Sequence, residues 1–408
     1  MTTLRLAGLA LVAALIALLA GCERTPPPTP DIERFLASHW AEPMAPQGAP
    51  PASFSALEAS LSPQACGQCH TAQWQDWQTS LHSRSMGPGL RWQLHLFDQG
   101  RANRCLRCHA PLAEQKALAA AEHGWPAQAS GPPPAWVEPT LAHQGLVCAA
   151  CHVRGHTRYG PAPRASSGSS ASAHGGFVTA EAFGDSRFCA HCHQFPPDGP
   201  RTAGKLHEDT VAQWEASGMA ATQSCQSCHM PDRRHLWRGI HDPETTRRAI
   251  DVQLAVVPVG KRRYEAQATV RNVGAGHHFP TYMVPKVELR FARIDRHGRR
   301  SELGRQSIGW TVDTAITREI EDTRIPAGQS RRFVQPIDAA TSDGWSVELT
   351  LHVRPGEHYE RTFRDSLSRA GQLPQAARPL LREALQRVQT AEYELMRLSG
   401  RPPGTAAN

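Results

Sequence analysis

Apolar and polar residues alternate with a period of two along four segments in the last third of the chain, residues 251–257, 264–273, 287–294 and 346–353. Such alternation is typical of β-strands that bury one face. Turn sequences containing Gly or Pro separate these segments at the spacing of a β-sandwich. The pattern therefore predicts a β-rich, sandwich-like domain over residues 247–362.

The apolar period lengthens near the end of the chain. Between residues 374 and 398, apolar side chains recur at every third or fourth position, and the helix-stopping residues Gly400 and Pro402 follow. This pattern predicts a C-terminal helix within a final segment of residues 363–408. The helix is expected to dock on the body of the protein or on a partner.

One uninterrupted apolar run stands near the start of the chain, over residues 6–20. It is too short to span a bilayer comfortably, so it predicts a signal peptide. The closing residues Leu19-Ala20-Gly21-Cys22 resemble the lipobox of bacterial lipoproteins, which predicts a signal over residues 1–21 and a lipid on Cys22. The alternative is a free thiol at Cys22.

Prolines crowd the stretch that follows Cys22, with Pro26, Pro27, Pro28 and Pro30 close together and four more between residues 43 and 51. Proline-rich segments are extended and semi-rigid. Residues 22–59 are therefore predicted to be a spacer that holds the body away from a membrane surface. Glu23, in place of an Asp that favours retention at the inner membrane, favours the periplasmic face of the outer membrane, and surface exposure is compatible with the same signal.

The chain holds eleven cysteines, and all but Cys22 fall in five C-x-x-C-H motifs. The motif cysteines are Cys66, Cys69, Cys105, Cys108, Cys148, Cys151, Cys189, Cys192, Cys225 and Cys228. In this motif two thiols attach a haem covalently and the adjacent His ligates its iron. A zinc site also uses Cys and His, but it needs four ligands per metal and does not explain the regular trailing His. The motifs predict five haem c groups.

The five motifs lie between residues 66 and 229, which leaves too little chain to bury each haem separately. We therefore expect the haems to pack against one another in a domain of helices and loops over residues 60–246. Haems with adjacent edges can pass electrons in series, so the arrangement predicts electron transfer. Disulfides are not expected, because the motifs use every cysteine after Cys22.

Histidine is abundant, with 21 residues, and five of them close the motifs. These predicted proximal iron ligands are His70, His109, His152, His193 and His229. Candidate distal ligands are His82, His156, His174, His235, His241 and His277. Methionine would raise the haem potentials relative to paired histidines. Met230 abuts a motif histidine and Met86 lies in a Gly-Pro loop, so bis-histidine irons are favoured.

The candidate distal histidines differ in context. His82 lies 12 residues after His70, about 18 Å along a helix, so it is predicted to reach a neighbouring haem. His277 lies in a Gly-rich loop, where the backbone can approach a large flat ligand. A tight turn with exposed imidazoles is the alternative there. His235 and His241 follow the fifth motif closely.

The chain carries 44 Lys and Arg against 37 Asp and Glu, a formal net charge of +7. A basic balance can indicate a nucleic-acid partner. Five haems would add about ten propionate charges, and Arg is a suitable internal counter-ion for such groups. We therefore expect no nucleic-acid binding.

Several stretches resemble the cytochrome c-552/4 group of multihaem cytochromes, relatives of the tetrahaem cytochrome c-554 of ammonia oxidisers. They are the Trp-x-x-Ser-x-His run that ends at His82 and residues 188–195, 225–232 and 274–277. The resemblance implies electron transfer in the periplasm or at the cell surface, haems stacked in close pairs, and His82 as a distal ligand. The chain departs from it in having five motifs and an appended β-domain.

Two functions follow from these patterns. Bis-histidine irons are coordinatively full, so a membrane-tethered α+β protein with five haems is predicted to relay electrons between redox partner proteins. An oxidoreductase acting on a small nitrogen or sulfur compound, such as nitrite or hydroxylamine, needs one open iron lined by groups that stabilise charge. No motif replaces its His by Lys, so the relay is favoured and no catalytic residue is assigned.

Overall fold

The computed structural model describes residues 30–126, 131–164, 173–339 and 344–403. Short helices and loops fill the first part of the chain, and two packed β-sheets with two late helices follow. This is the mixed α+β architecture that the sequence predicts. The predicted signal peptide and Cys22 lie outside the described residues. Within those residues, no helix has the length and apolarity needed to cross a bilayer.

The α-helices are mostly short. They are α1 (Pro30–His39), α2 (Ala56–Ala59), α3 (Pro63–Gly67), α4 (Thr71–Gln78), α5 (Pro88–Leu94), α6 (Gln99–His109), α7 (Ala113–His123), α8 (Cys148–His152), α9 (Arg187–His193), α10 (Thr210–Glu215), α11 (Cys225–His229), α12 (Pro243–Ala249), α13 (Glu357–Ser368) and α14 (Ala377–Thr390). Further 3₁₀ turns are His82–Arg84, Pro139–His143, Ala173–Gly175, Glu181–Gly184, Pro231–Arg233 and Ala370–Gln372.

Four of these helices, α6, α8, α9 and α11, end at the histidine of a C-x-x-C-H motif. On a helix, residues three and four apart share a face, so the two thiols and the imidazole of one motif point to the same side. The first motif differs because α3 ends at Gly67 and His70 stands just before α4. Helix geometry thus places the two thiols and the imidazole on one side in four of the five motifs.

The strands are β1 (Val153–Arg154), β2 (Thr157–Gly160), β3 (Val178–Thr179), β4 (Arg201–Thr202), β5 (Lys205–Leu206), β6 (Ile250–Gly260), β7 (Arg263–Asn272), β8 (Lys286–Asp295), β9 (Arg300–Ile308), β10 (Trp310–Val312), β11 (Glu319–Asp322), β12 (Ser330–Asp338), β13 (Trp345–Arg354) and β14 (Tyr393–Gly400). The four predicted segments coincide with β6, β7, β8 and β13. The two large sheets are antiparallel and have the orders β12-β7-β6 and β14-β13-β8-β9.

The core of the sandwich lies between these sheets. Val287, Leu289 and Phe291 alternate inward along β8, and each is fully buried. They pair with β13, where Leu349 and Leu351 are also fully buried. Burying each such side chain contributes about 1.5–3 kcal/mol. The period-two pattern in the sequence is therefore the physical cause of this domain.

The predicted spacer contains a packed helix instead of extended chain. The His39 side chain near the end of α1 is buried, and its ring stacks on Phe35 at 4.7 Å. His39 Nε2 also lies 2.8 Å from the backbone oxygen of Cys151 in the third motif. Proline is tolerated at the first position of a helix, which is where Pro30 stands. The extended-spacer prediction is therefore wrong from residue 30 to residue 39.

The predicted C-terminal helix is also shorter than expected. It ends at Thr390, and the following residues form β14, which pairs antiparallel with β13. The apolar residues Tyr393, Leu395 and Leu398 suit either a helix or a half-buried strand, so their spacing alone is ambiguous. Pairing with β14 satisfies the backbone N–H and C=O groups on the edge of β13, which a longer helix would leave to solvent. The last strand thus joins the sandwich.

Candidate haem sites

Thiols from different motifs lie next to one another. Three pairs are within hydrogen-bonding reach: Cys66 with Cys148, Cys108 with Cys192, and Cys189 with Cys225. Cys151 of the third motif is within electrostatic range of both cysteines of the fourth. The attachment points therefore form one contiguous set, in which the fourth motif is adjacent to the second, third and fifth.

Three motif histidines face a second imidazole at similar separations. The ring centres are 6.1 Å apart for His152 and His235, 6.3 Å for His193 and His82, and 6.4 Å for His229 and His277. Two metal–nitrogen bonds of about 2 Å, plus the half-widths of two rings, place imidazoles on opposite sides of one metal about 6 Å apart. Each pair therefore fits one haem iron.

The ring nitrogens in these pairs are oriented for the same role. Nδ1 lies 2.7–2.9 Å from a backbone oxygen in His152 (Tyr159), His229 (Arg238), His235 (Arg233) and His277 (His278). A metal-ligating histidine donates its second ring N–H to such a group, which fixes the tautomer and orients the ring. Nε2 of each ring is then free to bind iron.

Burial keeps these imidazoles uncharged. It lowers the pKa of His82 to about 3 and the pKa values of His152 and His277 to about 4. A neutral imidazole is the form that binds a metal, so all three are ready to ligate at pH 7. His82 Nδ1 is buried and lacks a hydrogen-bond partner among the described residues, unlike the Nδ1 atoms above.

The first motif has a less closely placed partner. Burial lowers the pKa of His70 and the charge of His174 lowers it further, so these two imidazoles lie within electrostatic range of each other. Nδ1 of His174 lies 2.9 Å from the backbone oxygen of Gly176, and its amide donates to Glu58 Oε1 at 2.8 Å. The loop is therefore anchored with the Nε2 side of His174 free.

His109 of the second motif lies within electrostatic range of His82 and His193, which face each other at the fourth motif. All 21 histidines lie in the described parts of the chain, and none of them makes a ring contact with His109 there. Its Nδ1 lies 2.8 Å from the backbone oxygen of Ser85, which leaves Nε2 free, as in His152 and His229. In contrast to the third, fourth and fifth motifs, the second motif therefore has no second imidazole at ring-contact distance within the described residues.

Hydroxyl and carboxyl groups gather beside the second motif. Tyr359 on α13 is within electrostatic range of Cys105 and Glu208, and Tyr282 is within range of the same Glu208. The Tyr359 ring is 44% exposed, yet burial among neighbouring protein groups raises the pKa of its hydroxyl. Glu208 in turn lies within electrostatic range of Cys108 of the second motif and 4.0 Å from Nδ1 of His193 in the fourth, so these groups stand between the two motifs.

Two predicted distal ligands lie elsewhere. His156 is buried, with Nε2 3.0 Å from the backbone oxygen of Gly48 and its ring packed 5.2 Å from Trp136. His241 is exposed and makes no ring contact with a motif histidine in the described chain. Of the six candidates, the structure therefore brings four toward motif histidines: His82, His174, His235 and His277.

The β-domain delivers His277 through a loop held by Asn272 at the end of β7. The Asn272 amide donates to the backbone oxygens of His277 and Ile325 at 2.8 and 3.1 Å. A Cβ at Gly274 would stand 2.3 Å from the backbone oxygen of Arg248. Gly274 is therefore required because it packs closely against the backbone at Arg248. The sequence had suggested a different reason for the glycines, which was close approach of the backbone to a flat ligand.

Two further residues beside the sites were not identified from the sequence. The Trp237 ring lies 4.6 Å from His82 and 5.1 Å from His235, between two predicted distal ligands. The buried Asp76 carboxylate binds Arg234, the residue before His235. The sequence signal for either residue is its position: Asp76 lies between His70 and His82, and Trp237 lies between His235 and His241.

A structure of a penta-haem cytochrome c552 from Thermochromatium tepidum matches this chain at 18% sequence identity, with a TM-score of 0.57. The match covers 85% of this chain and 99% of that chain. The two chains share a fold. A match to the CARDB domain of the PF1109 protein from Pyrococcus furiosus has 11% identity, covers 25% of this chain and 69% of that one, and has a TM-score of 0.16, too low to support a conclusion. No protein-family model and no curated protein matches the chain.

Proposed function

We propose that this protein is a c-type cytochrome with five covalently attached haems that relays electrons between redox partner proteins. The contiguity of the five attachment points carries the proposal. Haem supplies reversible one-electron transfer. The chain holds the attachment points side by side, and burial keeps imidazoles such as those of His82 and His277 neutral.

The thiol contacts support an order for the relay. The first motif adjoins the third, the third adjoins the fourth, and the fourth adjoins both the second and the fifth. Cys69 in the first motif and Cys228 in the fifth are exposed, whereas the other motif cysteines are partly covered. We therefore assign electron entry and exit to these two ends and a branch to the second motif.

The lipid anchor on Cys22 and an outer-membrane location belong to the same proposal. The lipobox-like sequence before Cys22 supports them. Because α1 begins at residue 30, residues 22–29 alone separate the lipid from the folded body. Eight residues reach at most about 28 Å, so the relay works close to the membrane surface, within reach of membrane-bound partners.

Fast internal redistribution of a single electron tests the relay. If one electron equivalent is delivered to the oxidised holoprotein, the absorbance of the individual haems should equilibrate at a rate independent of protein concentration. Adjacent attachment points allow transfer within one molecule. A rate proportional to protein concentration would show that electrons move only between molecules and would contradict the proposal.

The environment of His109 favours a second function, reduction of a small nitrogen or sulfur compound at the second motif. An iron with one protein ligand accepts an external one. Tyr359 and Tyr282 share Glu208 as an electrostatic neighbour, and Glu208 also influences Cys108 of the second motif, so these groups are the candidate proton donors there. The branch from the fourth motif would bring electrons to this position.

Cyanide and nitrite titrations of the oxidised holoprotein test this second function. One haem per chain should change from high-spin to low-spin on binding one equivalent of cyanide. Tyr359→Phe removes the hydroxyl while keeping the stacking on Phe363, so it should weaken nitrite binding more than cyanide binding. If no haem responds to either ligand, the reductase function is excluded and the relay alone remains.

A further inference from the structure

One short segment, residues 229–238, touches three of the predicted haem sites, and we call it the strap. Its ends are tied together, because Nδ1 of His229 lies 2.7 Å from the backbone oxygen of Arg238 and the Trp237 amide donates to the oxygen of His229 at 2.9 Å. His229 closes the fifth motif, and His235 faces His152 of the third. Trp237 packs on His82, which faces the fourth motif histidine.

The strap does not hold its shape by itself. Asp232, Arg233 and Trp237 all have positive φ values, of 55°, 60° and 44°. Residues with a side chain rarely adopt this left-handed conformation, and they do so in folded proteins where the surroundings impose it. The strap therefore needs contacts from another element to keep His235 and Trp237 in place.

Asp76 on α4 provides the principal contact. Its Oδ1 accepts from Arg234 Nη2 at 2.6 Å and its Oδ2 accepts from Arg234 Nε at 2.7 Å, a two-pronged ion pair. Oδ2 also accepts from the backbone amide of His235 at 3.0 Å. Asp76 is 5% exposed whereas the Arg234 side chain is 56% exposed, so the buried carboxylate is held by a guanidinium that reaches solvent.

A second contact joins the same two elements. Arg238 donates from Nη1 to the backbone oxygen of Thr79 at 3.0 Å and from Nη2 to its Oγ1 at 2.9 Å. Thr79 directly follows α4, three residues beyond Asp76. The strap is thus fastened through two of its three arginines, Arg234 and Arg238, to the helix that precedes His82.

We propose that Asp76 is a positioning residue for electron transfer: it fixes the strap so that His235 stays opposite His152 while Trp237 stays against His82. The inference rests on the haem ligation proposed above. Asp76 contacts no motif histidine itself and acts through Arg234 and the His235 amide. One carboxylate thereby couples the axial ligands of two adjacent haems, those of the third and fourth motifs.

The test compares low-temperature EPR spectra of oxidised holoprotein carrying Asp76→Asn, Arg234→Lys or Asp365→Asn. The first variant removes the charge at nearly constant volume, and the second keeps the charge but cannot form the two-pronged pair. Asp365 is the control, because it forms an exposed pair with Arg369. Asp76→Asn and Arg234→Lys, which we call the strap variants, should each lose one low-spin signal and gain a high-spin signal at unchanged haem content. Added imidazole should restore the low-spin signal.

The outcomes separate the inference from the function on which it rests. If the unaltered protein shows no low-spin haem for the third motif, the ligation proposal itself fails. If it does show one and both strap variants retain it, Asp76 has no positioning role and the inference is overturned. Should Asp76→Asn yield no holoprotein, the Arg234→Lys spectrum decides, since this variant retains the buried charge pair.

Discussion

Replacing His82 by Met should raise the midpoint potential of one haem by on the order of 100 mV and leave the others nearly unchanged. His82 faces His193 of the fourth motif at 6.3 Å, so the variant exchanges one imidazole for a thioether on a single predicted iron. Thioether ligation favours the reduced iron relative to imidazole ligation. Because the fourth motif adjoins three others, this change should also trap electrons at the branch point.

Potentiometric titration followed in the visible spectrum measures this effect. His297→Met is the matched control, because His297 is exposed in the turn between β8 and β9. It should reproduce the curve of the unaltered protein. A curve for His82→Met that also matches the unaltered protein would remove His82 from the predicted ligands.

Replacing Phe291 by Ala should lower the free energy of unfolding of the β-sandwich by about 3–5 kcal/mol. Phe291 is fully buried on β8 and stands opposite Leu349 on β13, so the change leaves a cavity between the two sheets. The sandwich holds Asn272, which orients the His277 loop. When the sandwich unfolds, the fifth motif should therefore lose its second imidazole.

Chemical unfolding monitored in two ways tests that link. Circular dichroism in the far ultraviolet follows the sandwich, and the low-spin haem spectrum follows axial ligation. In Phe291→Ala, the unfolding transition of the sandwich should shift to a lower denaturant concentration. The loss of the low-spin spectrum of one haem should shift with it. Val259→Ala is the control, because Val259 is 49% exposed in the same domain and should change stability by less than about 0.5 kcal/mol. If the low-spin haem spectrum does not change when the sandwich unfolds, the β-domain does not hold His277 in place as a ligand.

The sequence predicts those parts of the molecule whose information is local. Each C-x-x-C-H motif is complete within five residues, and each strand of the sandwich shows its own alternation. Such local patterns determine the helix geometry at α8 and α11. They also determine the inward-facing row of Val287, Leu289 and Phe291. Neither needs knowledge of what lies across the fold.

Pairing of distal histidines is a long-range property, and here sequence reasoning was incomplete. His156 and His235 have comparable contexts close after a motif, yet His156 binds the Gly48 backbone while His235 is carried to His152. Asp76, 159 residues before His235, makes that difference. The sequence offers six candidate distal ligands, and His109 makes no ring contact with any of them in the described residues.

The same reason explains the two errors in secondary structure. Proline content suggested an extended spacer, but α1 is stabilised by burying Phe35 and His39 against residues more than a hundred positions away. The spacing of apolar residues in β14 suited a helix, but an open edge on β13 was available for pairing. In both cases tertiary contacts outweighed local preference.

Spin quantitation by low-temperature EPR, combined with a haem count on the same oxidised holoprotein, tests the central claim most directly. The account predicts five haems per chain, with low-spin irons at four motifs and one high-spin iron, held by His109, that cyanide converts to low-spin. Fewer than five covalent haems, or an exogenous-ligand response at a motif whose histidine faces another imidazole, would contradict it.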